Sequence, residues 1–156
     1  MMILGLTGSI GMGKSTATRA FARHGATIWD ADAAVHLLMA RGGAAVTAVT
    51  AAFPEARVED GGGAAVDRLI LGKLVFQDKA ALRRLESILH PMVRRAERRF
   101  LATAESHRCR LAVLDIPLLF ETGGEARCDA TAVVSAPEFV QRARVLARPN
   151  MTVSKY

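Results

Sequence analysis

Along this chain, short segments of consecutive apolar residues alternate with longer segments in which the apolar residues have helical spacing. Apolar runs of four to seven residues are typical of buried strands, and apolar positions three or four apart predict helices. The predicted strands are residues 2–6, 26–29, 111–114 and 129–135. The predicted helices outside the middle of the chain are residues 15–24, 31–39, 44–53 and 137–148. Strands alternating with helices favour an α/β fold whose parallel sheet carries helices on both faces.

The middle of the chain predicts a long helical insertion between the second and third strands. Residues 59–63 are expected to form a flexible turn. Helical spacing begins at Val66, and residues 69, 70, 73, 74 and 76 are expected to share one mainly apolar side. Asp78 is predicted to cap a helix over 79–89 that Pro91 stops or redirects, with another helix at 92–104. The insertion, about residues 31–107, is too long for a simple crossover, so we interpret it as a substrate-covering subdomain within a single domain, 1–156.

A glycine-rich segment leads from the first predicted strand into the first predicted helix. It fits G-x-x-x-x-G-K-[ST], the phosphate-binding loop, in the required strand and helix setting. The glycines allow successive backbone N–H groups to point inward at the positive end of the helix dipole. Lys14 is expected to reach the β- and γ-phosphates of ATP, and the Ser15 hydroxyl to ligate Mg²⁺. The predicted ATP-binding residues here are Gly8, Ser9, Ile10, Gly11, Met12, Gly13, Lys14, Ser15 and Thr16.

Two aspartates follow the carboxyl ends of predicted strands, where open α/β sheets bind ligands. Asp32 could accept a proton from a substrate hydroxyl. It could equally stabilise the helix in whose first turn it lies, since a carboxylate there favours the helix dipole. Asp115 could assist Mg²⁺ in the manner of a Walker B aspartate, or it could simply start the turn before Pro117.

A basic helix is predicted after the last strand. Gln141, Arg144 and Arg148 fall at helical spacing on one face. The face could close over ATP, or it could be an ordinary exposed basic surface.

Composition narrows the function classes. The net charge of +6 suits polyanionic ligands, but arginines on solvated helix faces explain it without a nucleic-acid surface. The run Arg94–Arg99 is expected to be such a face.

No apolar run reaches the length of a membrane span, and residues 1–7 continue into the phosphate loop, so neither a membrane anchor nor a signal peptide is expected. Cys109 and Cys128 lack metal-ligand spacing and are expected to be reduced thiols of a cytoplasmic enzyme. A GTPase is not expected, because no N-K-x-D motif occurs.

Five further motifs accompany the phosphate loop. They are Asp30-Ala31-Asp32; Arg68-Leu69 with Leu71-Gly72 and Val75-Phe76; Leu85-Glu86-Ser87-Ile88-Leu89-His90-Pro91; Pro117-Leu118-Leu119-Phe120-Glu121; and Gln141-Arg142-Ala143-Arg144 with Arg148. With these motifs in this order, the chain resembles the dephospho-coenzyme A kinase family from residue 1 to about 152. The phosphate loop alone is shared by many kinases, and the His-Pro and Pro-Leu-Leu-Phe-Glu stretches are far more specific.

The resemblance implies a three-layer P-loop NTPase fold and transfer of the ATP γ-phosphoryl group to the ribose 3′-hydroxyl of dephospho-CoA. It implies Asp32 as the base, with Lys14, Mg²⁺, Arg144 and Arg148 supplying positive charge from the loop and a mobile lid. His90, placed in a His-Pro turn, and the loop residues Pro117, Leu118 and Glu121 are implied on the substrate side. For His90, a packing or capping role is the open alternative.

Family members normally continue for some tens of residues beyond Arg148, adding a helix and a last edge strand. The resemblance therefore predicts about four strands here and five in relatives, with an exposed sheet edge and a monomer or weak homo-oligomer. The alternatives are a truncated, inactive nucleotide-binding module and another small-molecule P-loop kinase. No membrane or nucleic-acid partner is expected.

Overall fold

A computed structural model describes the backbone of residues 1–147 and their side chains, except the side chain of residue 60. The elements are β1 (Met2–Thr7), α1 (Lys14–Arg23), β2 (Thr27–Asp30), α2 (Ala31–Met39), α3 (Val46–Ala52), β3 (Arg57–Asp60), β4 (Gly63–Val66), α4 (Arg68–Phe76), α5 (Lys79–Ser106), β5 (Leu111–Asp115), β6 (Ala130–Val133) and α6 (Glu138–Leu146), with short 3₁₀ helices at Pro54–Ala56 and Gly124–Arg127. They form two units. One contains Met1–Ala31 and the described residues from Leu101 onward, and the other contains Asp32–Phe100.

The first unit is built on a four-stranded parallel sheet in the order β2-β5-β1-β6. The side chains of Leu6, Val113 and Leu114 are almost completely buried, which explains why these runs are apolar throughout. The predicted α/β class and its four parallel strands are confirmed. Sequence placed each strand within two residues of its observed bounds. Val133 of the outer strand β6 is exposed, while the predicted self-association through this edge stays a prediction.

The second unit contains a strand pair that the sequence did not predict. β3 and β4 form an antiparallel hairpin with Arg57 opposite Val66. The predicted flexible turn is therefore only the connection inside this hairpin. β4 consists of one glycine, two alanines and one valine, so it lacks the alternating apolar pattern by which a strand is recognised.

A single helix, α5, runs through Pro91, so the prediction of two helices separated there was wrong. Proline inside a helix loses a backbone hydrogen bond and costs about 3 kcal/mol. Leu89, two residues before the proline, is buried in the core of its unit, and Met92, directly after the proline, packs against the same core. Full burial of such a side chain contributes about 1.5–3 kcal/mol, so packing on both sides of Pro91 offsets the cost of the proline.

The apolar side predicted for α4 was also wrong. Leu71 is buried, while Leu69 and Phe76 are 80% and 89% exposed. Asp67 caps this helix, its Oδ1 accepting hydrogen bonds from the backbone N–H groups of Leu69 and Ile70. Most positions of the helix are apolar, so several faces fitted the pattern, and packing decided among them. The core of this unit also contains Met39, Ala45, Val46, Val49, Phe53, Ala56 and Val66.

The charged run in α5 is only partly a solvated face. Arg94, Arg95, Arg98 and Arg99 are exposed as predicted, but Glu97 is 2% exposed. In the part of the chain that the structure describes, no helix combines the length and apolar character needed to cross a membrane.

Candidate phosphate-binding site

The connection from β1 to α1 has the backbone that its glycines predict. Gly11 and Gly13 have φ angles of +77° and +101°, in the left-handed region that other residues enter at a cost of about 1–2 kcal/mol. Gly13 directly precedes α1, and its carbonyl accepts a hydrogen bond from the backbone N–H of Thr16, at 2.9 Å. The loop thus turns sharply into the helix, as a phosphate cradle requires.

The amino-terminal end of α1 has no side-chain cap among the described residues. The first N–H groups of a helix have no partner within the helix, and together with the helix dipole they attract anions. Ser15 and Thr16 are exposed in this first turn. An uncapped helix end that follows a glycine loop is the arrangement that binds phosphate groups.

An ion pair joins Lys14 at this helix end to Asp115 at the carboxyl end of β5. Lys14 Nζ lies 2.6 Å from Asp115 Oδ1, and the two side chains are 19% and 9% exposed. The pairing follows from the sheet, because Leu6 and Asp115 are in register across β1 and β5. Asp115 Oδ1 is buried without a well-aligned hydrogen bond among the described residues, so the Lys14 charge stabilises it.

Thr18 holds the other oxygen of the same carboxylate. Its hydroxyl lies 2.9 Å from Asp115 Oδ2 and 3.0 Å from the backbone carbonyl of Lys14. Sequence reasoning missed Thr18. The available signal was its position four residues after Lys14, which puts both side chains on one face of α1.

Hydrogen bonds hold the strand ends at this site together. The Thr7 hydroxyl donates a hydrogen bond to the carbonyl of Pro117 at 2.8 Å, and the Val134 N–H donates to the carbonyl of Thr7 at the same distance. In addition, the Ile116 N–H donates to the carbonyl of Leu6. The loops that follow β1, β5 and β6 are therefore fixed relative to one another.

The helix α6 lies against the phosphate loop. Gln141 Nε2 donates to the carbonyl of Ile10 at 2.8 Å, and Arg144 Nη1 lies 3.3 Å from the carbonyls of Gly11 and Met12. A Cβ atom at Gly11 would lie 2.7 Å from Cγ2 of the buried Val145. Arg144 is therefore brought to the loop, while the predicted lid residue Arg148 lies outside the described residues.

The turn after β5 presents two of the predicted substrate residues at the surface. Leu119 is fully buried and anchors the turn, whereas Leu118 is 58% exposed. Glu121 is also exposed, and Pro117 is fixed through its carbonyl by Thr7. The turn can therefore contact a ligand through exposed side chains while its backbone stays anchored.

Asp32 and His90 both belong to the Asp32–Phe100 unit. Asp32 is the exposed second residue of α2 and follows two residues after Asp30, which is in register with Asp115. His90 is exposed near the middle of α5, so the prediction that it occupies a turn was wrong. The catalytic role of Asp32 and the substrate contact of His90 stay predictions.

The donor set at the phosphate site suits a magnesium ion held together with a nucleotide. No group of three or more His, Cys, Asp or Glu residues able to hold a metal occurs within residues 1–147. Mg²⁺ needs no such cage beside a polyphosphate, because one or two protein oxygens, phosphate oxygens and water complete its shell. The Asp115 carboxylate and the Ser15 hydroxyl are oxygen donors of this kind.

Comparison with known proteins assigns the chain to a family. The family model described as "Dephospho-CoA kinase" matches residues 2–156. The chain belongs to this family. A dephospho-CoA kinase from Paramagnetospirillum magneticum is 66% identical over 152 residues, which are 97% of this chain and 70% of the relative. One from Rhodospirillum rubrum is 56% identical over 153 residues, 98% of this chain and 71% of the relative. These family members are longer than this chain, as the resemblance implied.

Solved structures agree with the family's P-loop fold. The crystal structure of TT1252 from Thermus thermophilus has a TM-score of 0.76 at 39% identity, covering 97% of this chain and 74% of that protein. Dephospho-CoA kinase from Campylobacter jejuni has a TM-score of 0.69 at 24% identity, covering 97% of this chain and 75% of that protein. The second likeness is evidence for the fold alone.

Proposed function

We propose that this chain is an ATP-dependent kinase that phosphorylates the ribose 3′-hydroxyl of dephospho-CoA, giving coenzyme A and ADP. The observation that carries the proposal is the uncapped helix end with the Lys14–Asp115 pair, in a chain whose family match extends over residues 2–156. The alternative function, that of another small-molecule P-loop kinase, is not favoured by the family match.

Phosphate binding follows from the charges at the loop. The N–H groups at the start of α1 donate to phosphate oxygens, and Lys14 moves from the Asp115 carboxylate to the β- and γ-phosphates. Asp115 then keeps a negative charge beside the loop, from which it would hold a cation. We assign Ser15 and Asp115 to the magnesium ion, which supplies neutralisation of phosphate charge when bound.

In the transfer step, the 3′-hydroxyl oxygen bonds to the γ-phosphorus while the bond to the β–γ bridging oxygen breaks and ADP leaves. Asp32 accepts the hydroxyl proton. Phosphoryl transfer has a loose transition state, so positioning and charge neutralisation matter more than proton removal. Arg144 supports the step from α6, since it already lies against the loop, and Arg148 is assigned to the same lid.

We place dephospho-CoA against the turn after β5, at Pro117, Leu118 and Glu121, and assign His90 to the substrate side. The exposed side chains of Leu118 and Glu121 support this assignment. We propose that the Asp32–Phe100 unit covers the substrate. The protein is also proposed to be cytoplasmic and to be a monomer or a weak homo-oligomer.

The test is ADP release from ATP and Mg²⁺, with and without dephospho-CoA. Release that requires dephospho-CoA supports the proposal, and phosphate on the 3′-oxygen of the product, located by ³¹P–¹H NMR, identifies the acceptor atom. A panel containing a nucleoside monophosphate and a free sugar is the control for acceptor choice. ATP binding by a folded sample without turnover on any acceptor would overturn the proposal in favour of a nucleotide-binding module.

A further inference from the structure

The Thr18 hydroxyl faces two acceptors but has one proton to donate. It lies 2.9 Å from Asp115 Oδ2 and 3.0 Å from the carbonyl of Lys14. A hydrogen bond to an ionised carboxylate is roughly twice as strong as one to a neutral carbonyl. Asp115 is also buried, so its charge is poorly solvated. The carboxylate is therefore the preferred acceptor.

The two oxygens of Asp115 consequently have different partners. Oδ1 is 2.6 Å from Lys14 Nζ, and Oδ2 accepts from Thr18. The terminal torsion of an aspartate has a broad minimum, so a carboxylate held at one oxygen alone can turn. The Thr18 contact occupies Oδ2 and so limits this rotation.

We propose that Thr18 is a positioning residue of the phosphate site, which keeps the Lys14–Asp115 pair at one oxygen so that Lys14 can be transferred to phosphate. Without the hydroxyl, Asp115 turns to offer Lys14 both oxygens, and the carboxylate then competes more strongly with ATP for the same ammonium group. This role of Thr18 rests on the proposed function only in that ATP is taken as the phosphate ligand.

The competing explanation is a local one. Threonine inside a helix often donates to the carbonyl four residues earlier, which here is the carbonyl of Lys14. If that were the whole role of Thr18, removal of the hydroxyl would leave ATP affinity unchanged.

The experiment compares Thr18→Val, which keeps the volume and loses the hydroxyl, with Thr18→Ser, which keeps the hydroxyl. ATP affinity is measured by calorimetry in Mg²⁺ without any acceptor. We expect Thr18→Val to weaken binding about tenfold, the scale of one hydrogen bond to a charged group, and Thr18→Ser to stay within about twofold of the original chain. Thr47→Val, at an exposed position of α3, is the matched control and should bind ATP normally.

A double-mutant cycle decides whether Thr18 acts through Asp115. In an Asp115→Asn background, Thr18→Val should change ATP affinity by less than about twofold, because no carboxylate charge remains to be held. Normal ATP binding by folded Thr18→Val, or a tenfold loss that persists in the Asp115→Asn background, would overturn the proposal. Emission from Trp29, the one tryptophan in the sequence and a buried residue of β2, checks folding of each variant. Because no acceptor is present, failure of dephospho-CoA phosphorylation does not affect this result.

Discussion

Lys14 Nζ lies 2.6 Å from Asp115 Oδ1, so the lysine of the phosphate loop is neutralised by a carboxylate from a neighbouring strand. β1 and β5 place the two residues together, because Leu6, at the end of the first strand, is in register with Asp115. In the function proposed above, a bound nucleotide takes Lys14 from this carboxylate. ATP affinity then reflects the difference between two ionic interactions of the same ammonium group.

Lys14→Ala should abolish turnover and weaken ATP binding by at least about tenfold, because the proposed function gives this side chain charge-assisted contacts with the phosphates. Calorimetry gives the affinity, and ADP release gives the rate. Lys73→Ala, which removes an exposed lysine of α4, is the matched control and should behave like the original chain. Ordinary kinetics in Lys14→Ala would contradict the phosphate-loop assignment.

Asp115→Asn should lower turnover by about tenfold or more, since it removes the negative oxygen assigned to Mg²⁺. It should also reduce the free energy of unfolding by about 1 kcal/mol, because Lys14 loses its partner but stays partly hydrated. Denaturant unfolding and the magnesium dependence of ADP release check the two effects. An unchanged magnesium dependence would show that Asp115 has a purely structural role.

Gly11→Ala should reduce the free energy of unfolding by about 1–3 kcal/mol, because φ is positive there and the new Cβ would collide with Val145. Gly72→Ala is a control in which the free energy of unfolding should change in the opposite direction. Gly72 lies inside α4 with open space around its Cα, so alanine should stabilise the chain by about 0.5–1 kcal/mol. Equal effects of the two substitutions in urea unfolding would show that the loop geometry is not as described.

Asp32→Asn should depress the turnover number at least about tenfold while changing ATP affinity little, as expected of a residue that acts on the acceptor hydroxyl. Steady-state kinetics with calorimetry separate these quantities. Asp78→Asn is the control, since Asp78 only caps α5 and asparagine can cap equally well. A normal rate in Asp32→Asn would leave Asp32 as a residue of the helix terminus.

Arg144→Ala should slow turnover more than Arg142→Ala, although both remove one positive charge from α6. Both arginines are exposed, but Arg144 Nη1 contacts two carbonyls of the phosphate loop. A loss of about tenfold confined to Arg144→Ala would support the lid assignment. Equal rates in the two variants, measured by ADP release at saturating ATP, would make Arg144 a surface residue.

The amino-acid sequence by itself determined the four parallel strands, the phosphate loop and the family. Each rests on local information. Buried parallel strands need continuous apolar runs, and the phosphate loop needs glycines at fixed spacing before Lys14 and Ser15. These signals hold whatever the rest of the chain does, because they come from backbone geometry and from burial on both faces of a sheet.

Only the tertiary structure decided the features that depend on packing between distant segments. Packing of Leu89 and Met92, on either side of Pro91, stabilised α5 as one helix, although proline predicts a break. The buried face of α4 was set by its cap and its neighbours, since its sequence is apolar on several sides. Thr18 became part of the phosphate site only because β5 brings Asp115 to α1. Such contacts join residues far apart in the chain, and the energy that selects them comes from burial and ion pairing, which no local pattern records.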